Sequence, residues 1–559
     1  MLLETASPMV EPQEQPSAGI SSTATTLVRA ASPARGAVAV AAIALLITAA
    51  LAAPVLRAPA ERLFGAQIVG RNHDPFTMMQ QYLRPISVGM YTQPFTDLPG
   101  ALFARAMNVV TAYTLLILLS FPLAAAAAYL LARYLALAPA GATLAALAYA
   151  FSPFHLAQAA YHVHIAQTQW FPLYLLTLFL CLDEPTPKRI AALIAATACV
   201  TLSNFYGGMI AAVITPVAAG AHWLARSGSD RRSTRRLLVT LGVLFGIAAA
   251  GIAYLRLVAP NVLANPAVVA FRRADLFRYS AKWWAYFVPP VANPLFGSAA
   301  RRIWEHAGVG GGVLEQQVYL GWGIIALGLV ALAHWLPRGR RSGSLAGVPV
   351  LIVIAAAACL CSLSPERSFG QFTIMRPSGA LYLLVPMFRA YARFGVIVQL
   401  MAALLAGIGL DLLLRAGSRG RIASALLLLV VVGEYALWPS SLWHDVLPTA
   451  AHRWVARQPA GVRVLDCVKY TPAEASVPWL TGRQVVPAGG SFTDCTEPLL
   501  PGKLAAAGFT HVLVRRETAA GRWFASHPVP EGLRRLEQFG DSEVFAVPAR
   551  VFPVPGVTP

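Results

Sequence analysis

Long apolar runs separated by short polar joints set the pattern of this chain. Runs fall at 37–57, 108–134, 138–156, 167–182, 190–204, 206–225, 236–258, 316–336, 347–364, 393–415 and 421–440. Most approach the roughly 20 residues that a helix needs to cross a bilayer. Backbone polar groups in lipid must be satisfied within the segment, so the runs predict helices. The ten-residue alternation of a membrane barrel is absent. The apolar stretch 190–225 is split at Ser203-Asn204-Phe205-Tyr206-Gly207-Gly208, where polar residues and two glycines predict a turn. The expected fold is a polytopic α-helical membrane protein with eleven transmembrane helices.

Polar segments divide the chain further. Residues 1–36, rich in Ser, Thr, Pro and Ala, predict a disordered cytoplasmic N-terminus. The first run exceeds the roughly 7–15 residues of a signal core and reads as an uncleaved anchor. A membrane core spans 37–440, with a first outer loop at 58–107 and a large outer loop at 259–315. Residues 445–559 predict a small α/β extracytoplasmic domain. Its expected strands are 462–465, 484–487 and 511–515, its helix is 501–508, and a hairpin over 536–547 turns at Gly540-Asp541. Orientation comes from Lys188-Arg189, five arginines within 226–236, Arg338-Gly339-Arg340-Arg341 and the arginines of 415–421. Short basic loops stay in the cytoplasm, and eleven crossings from an inside N-terminus place all four there.

Composition agrees with this pattern. Of 559 residues 57% are hydrophobic and only 12% charged, against about 25% charged in soluble domains. The net charge of +19 resides largely in inter-span loops, which argues against a nucleic-acid-binding face. Of six cysteines, Cys181, Cys199, Cys359 and Cys361 lie in or beside apolar runs and read as small apolar residues. Cys467 and Cys495 lie in the polar tail and can form a disulfide in an oxidising outer compartment. No zinc-type cysteine spacing occurs.

Candidate chemistry gathers on the expected outer side. The first loop holds His73, Asp74 and Asp97. A carboxylate there can take a proton from an acceptor hydroxyl. Asp74 also suits the start of a helix with Pro75 at its first position. The joint after the third run carries His155, His162 and His164, then Trp170-Phe171-Pro172-Leu173. His162 and His164 suit a divalent-metal or phosphate site; interfacial anchoring of a short hairpin explains them as well. The 259–315 loop interleaves Arg272, Arg273, Arg278 and Lys282 with Tyr279, Trp283, Trp284 and Tyr286. That mixture suits a lipid-phosphate head group, or an ordinary aromatic belt. Glu315, Arg376, Arg389 and Arg393 approach the same side. Glu434 near the last run's end predicts a Glu–Arg pair, and Asp411 a local pair with Arg415.

Several of these features in order resemble bacterial membrane glycosyltransferases of the GT-C superfamily. They are Asp74 in the first outer loop, the histidine hairpin ending Trp170-Phe171-Pro172-Leu173, the string from Tyr286 through Pro289-Pro290 to Asn293-Pro294-Leu295-Phe296-Gly297, the 386–394 segment with Arg393, and the small outer tail. The resemblance covers about 37–440 and, more loosely, the tail. It implies a bacterial inner-membrane enzyme with a polyprenyl-phosphate-linked sugar donor. The donor sugar would pass to a glycan, lipid or protein acceptor at an outward-facing site. It also implies that Asp74 is the first-loop acid, acting as a base or beside a metal. Many members carry paired acids there; this chain has His73-Asp74. A divalent metal (Mg or Mn) therefore stays open, as does a second acid from Asp97 or Glu315. Two other classes remain: a flippase for lipid-linked sugars, and a non-catalytic envelope scaffold. The near absence of ionisable residues deep in the runs disfavours coupled transport.

Overall fold

The computed structural model describes residues 32–65, 74–83, 93–226, 231–258, 264–265, 269–309, 312–337, 343–437, 441–445, 450–467, 484–487, 501–516, 519–540 and 542–548. Helices occupy each predicted apolar run, from Pro33–Leu51 and Val109–Tyr134 to Gly395–Arg415 and Gly417–Tyr435. Seven among the described residues are long and apolar enough to cross a membrane. Trp170–Asp183 and Trp322–Trp335 are shorter apolar helices of 14 residues each.

Gly395–Arg415 is the centre of the bundle, packing against Trp322–Trp335, Val348–Ser362 and Pro139–Ala150. Glycine lets these backbones meet: a Cβ on Gly409 would sit 1.9 Å from the Leu327 carbonyl oxygen, and one on Gly407 2.4 Å from that of Gly141. Peripheral helices turn their apolar residues outward. Leu46 on the first helix, Phe245 on Arg231–Val258 and Val432 on Gly417–Tyr435 are 71%, 76% and 68% exposed. Water would make such faces aggregation surfaces; a bilayer makes them lipid contacts. The protein is an integral membrane protein.

Two acids in this bundle do work that the sequence reading did not expect. Glu434 accepts hydrogen bonds from Tyr319 Oη (2.8 Å) and the backbone N–H groups of Trp322 and Gly323 (3.0 Å each). It caps Trp322–Trp335 from a distant helix rather than pairing with an arginine, because a helix start leaves N–H groups unsatisfied and favours negative charge. Asp411 does the same for Pro139–Ala150, accepting from Ala138 N (2.6 Å) and Gly141 N (2.9 Å), while Arg415, its expected partner, also acts on it electrostatically.

The C-terminal residues form a five-stranded mixed sheet in the spatial order Gln484–Pro487, Arg463–Asp466, His511–Arg515, Ser542–Ala546, Arg534–Gln538. The first three strands run parallel, and the last two are antiparallel to their neighbours. Helices Ala450–Ala456, Pro501–Ala506 and Ala519–Ser526 accompany it, the first and last unanticipated. Buried Cys467, after the Arg463–Asp466 strand, is disulfide-bonded. Cys495, its expected partner, lies outside the described residues. Two antiparallel pairs were also unforeseen: Arg62–Phe64 with Trp443–Asp445, and Glu366–Phe369 with Phe372–Met375.

Candidate active site

One end of the bundle gathers polar side chains from five separate segments. Its centre is Arg393, in the turn before Gly395–Arg415. Its Nη2 donates to Glu315 Oε1 at 2.7 Å, and its Nε reaches both carboxylate oxygens at 3.2 and 3.3 Å. Both residues are buried. The fork of a guanidinium matches a carboxylate, and pairing offsets the desolvation of each. Tyr206 lies beneath, its ring centroid 4.3 Å from the guanidinium carbon.

Glu315 also reaches the histidine hairpin. Gln158 Nε2 donates to Glu315 Oε2 at 3.5 Å, and Gln158 Oε1 faces His162 Nδ1 at 2.7 Å. A carboxylate only accepts, which fixes the amide orientation and puts a proton on His162 Nδ1. The His164 ring is 5.8 Å from that of His162. His155 is structural: its Nδ1 donates to the Ala150 carbonyl (2.7 Å), its Nε2 meets Ser120 Oγ (2.8 Å), and it stacks on Phe121.

Tyr206 bridges to a second cation. Its hydroxyl accepts from the backbone N–H groups of Arg389 and Ala390 at 3.2 and 3.3 Å. The Arg389 guanidinium lies 4.4 Å from the Phe271 ring and 4.9 Å from that of Tyr279, with Asp275 at 3.5 Å. Arg389 keeps 39% of its side chain exposed, so it is a rim cation held on an aromatic platform.

The remaining cations of the large loop divide. Arg273 pairs with Glu366, and Arg272 is exposed at the start of Arg273–Tyr279. Lys282 Nζ donates to the Phe277 carbonyl at 3.1 Å; burial first, then nearby Arg376, holds its pKa below the usual lysine range. Trp283 is 59% exposed, whereas Trp284 stacks on Trp304. Asn293 latches the Asn-Pro-Leu-Phe-Gly string to the last helix, donating to the carbonyls of Gly433, Glu434 and Ala436. That string is structural.

The first outer loop meets the segment that leads into Tyr206. Asp97, on Pro94–Ala106, is buried. Its Oδ2 accepts from Gln93 N at 3.3 Å, and its Oδ1 has no partner. Burial pushes its carboxyl up to about 6, opposed by the Gln93 N–H. Adjacent Thr96 donates to the Ser203 carbonyl at 2.9 Å. Three residues, at most about 11 Å of chain, separate Ser203 from Tyr206. The Ser203–Gly208 break thus joins the first loop to the arginine turn. Asp74 begins helix Asp74–Tyr82; its side chain and His73 lie outside the described residues.

Sequence reasoning singled out Glu315, Arg389, Arg393 and His162 separately; the structure connects them. It passed over Gln158, Phe271 and Asp275, and treated Tyr206 only as part of a turn. The signal available was the polar break at 203–208 between two apolar runs. Among the described residues no group of three His, Cys, Asp or Glu side chains is placed to hold a metal.

A family model described as a domain of unknown function, DUF6311, matches residues 71–433. The chain belongs to the DUF6311 family. The match contains the whole Arg393 cluster. No curated protein sequence matches the chain. Among solved structures, arabinofuranosyltransferase AftD from Mycobacteria superposes with a TM-score of 0.54 at 15% identity, over 92% of this chain and 40% of that one. A mutant of the same enzyme gives 0.52 at 14% identity, over 93% and 42%. ArnT from Cupriavidus metallidurans gives 0.43 at 14% identity, over 92% and 97%, too distant to argue from. The chain spans about two-fifths of the length of the arabinofuranosyltransferase. At such identity the likeness is one of fold: this DUF6311 member shares the fold of the matching part of that arabinofuranosyltransferase.

Proposed function

We propose that this protein is a membrane glycosyltransferase that moves a sugar from a polyprenyl-phosphate-linked donor to a glycan, lipid or protein acceptor. The observation that carries the reading is the rim cation Arg389, held over two aromatic rings with its backbone on the Tyr206 hydroxyl, while the first acidic loop meets the segment leading into Tyr206 through Thr96 and Ser203. The GT-C fold supports it. A basic-aromatic rim suits a lipid phosphate, and a first-loop carboxylate suits an acceptor hydroxyl.

In this reading the acceptor oxygen attacks the anomeric carbon and the carbon–oxygen bond to the donor phosphate breaks. Asp74 takes the hydroxyl proton, and Arg389 holds the departing polyprenyl phosphate. That leaving group is already charged, so it needs electrostatic stabilisation more than protonation. Alignment of the two substrates can supply about 7–11 kcal/mol. Arg393 is held by Glu315 and acts by fixing the turn that presents Arg389. The site faces the outer compartment of a bacterial inner membrane, with the N-terminus inside and the C-terminal sheet outside, by the basic-loop rule.

Asp74→Ala tests this in purified protein given labelled polyprenyl-phosphate sugars and membrane extract. Loss of transfer with normal membrane insertion is expected. Undiminished transfer would remove Asp74 from the mechanism.

A further inference from the structure

A cavity of about 560 Å³ lies at the other end of the bundle from Arg393. It is bordered by the ends of Trp170–Asp183 and Phe205–Arg226 and by the starts of Pro187–Leu202 and Arg231–Val258. Tyr206 and His222 share one helix; their sixteen-residue separation is about 24 Å of rise.

The acids bordering this cavity are already engaged. Asp183 accepts from Tyr134 Oη at 2.6 Å and meets His222 Nε2 at 3.0 Å. Glu184 pairs with Arg189 at 3.2 Å. Three further donors border the same space: the Ser233 hydroxyl, the Arg236 guanidinium and the buried indole N–H of Trp223, which has no hydrogen-bond partner among the described residues. A buried donor left unpaired is costly. Arg236 also belongs to a group with Arg231, Arg232 and Arg235 in the first two turns of its helix, whose first turn holds no acid. Cations at a helix start oppose the macrodipole, and both invite an anion. Leu182 and Leu237 give the cavity an apolar wall.

We propose that this cavity binds a phosphate group, with Arg236, Trp223 and Ser233 as its donors and the leucines beside the attached carbon chain. The phosphate belongs to an anionic phospholipid head group or to a soluble phosphate ester. A basic pocket between helices at a membrane face suits the former. The site is separate from the Tyr206 cluster, and the proposal does not rest on the transferase reading.

The test uses the full chain in nanodiscs of phosphatidylcholine with or without phosphatidylglycerol, read by native mass spectrometry, and equilibrium dialysis against inorganic phosphate. Trp223→Phe removes the indole donor while keeping an aromatic ring, and Arg236→Gln removes the charge. Retention of one phosphatidylglycerol per chain, about tenfold weaker in each variant, supports a lipid site. Binding of inorganic phosphate alone, weakened equally, supports a soluble ester. Unchanged binding in both variants, or no binding of either probe to the parent protein, overturns the proposal. Thermal unfolding of each variant at the parent temperature separates lost binding from lost fold.

Discussion

Arg393 and Glu315, 78 residues apart in sequence, form a buried, multiply hydrogen-bonded ion pair with a shortest contact of 2.7 Å. Removing either partner strands a charge where water cannot reach it. Arg393→Ala or Glu315→Ala should therefore cost about 3–5 kcal/mol. The double variant Arg393→Met/Glu315→Leu should regain most of that stability. Thermal unfolding in detergent measures this. Near-additive losses in the double variant would contradict the pairing.

Asp97 gives a pH signature. Its folded-state pKa of about 6 lies above the ordinary 3.8, so the folded protein holds this proton more tightly than the unfolded chain. The contribution is fully present below pH 3.8 and is lost as pH rises through 6. Above that, the ionised carboxylate weighs against folding by about 3 kcal/mol. Asp97→Asn should raise the melting temperature at pH 8 and change it little at pH 4. Equal shifts at both pH values would show that ionisation at this position is not the cause.

Arg389 rests on Phe271 and Tyr279 with its planar face engaged. Arg389→Ala should raise the donor KM about tenfold or more, the worth of a charge-assisted contact. Arg389→Lys should recover only part of it, because an ammonium lacks the stacking plane. Donor titration at saturating acceptor reads the effect. An unchanged KM in both variants would place the lipid phosphate elsewhere.

Glu434 caps a helix in another part of the chain. Glu434→Gln should lower stability by about 1–2 kcal/mol through lost charge at the helix start. Loss of stability without loss of donor affinity is expected. A selective loss of affinity would instead put Glu434 in the substrate path.

The helices were legible because apolar runs and their breaks are local properties. The break at Ser203–Gly208 was visible for the same reason, yet its role was not. Tyr206 is important for what it touches at Arg389, Ala390 and Arg393, more than 180 residues away. The trans caps escaped equally: Asp411 serves a helix some 270 residues earlier and Glu434 one some 110 earlier. Residue type marked which side chains are able to carry chemistry; only folding decided whether Arg393 would meet Glu315.

The central claim is that a glycosidic bond is made at the expense of a polyprenyl-phosphate sugar. Single-turnover lipid mass spectrometry in proteoliposomes measures it directly. The account predicts one polyprenyl phosphate released for each glycosylated product, with both lost together in Asp74→Asn. Donor that crosses the bilayer intact, with no free polyprenyl phosphate and no new bond, would contradict it.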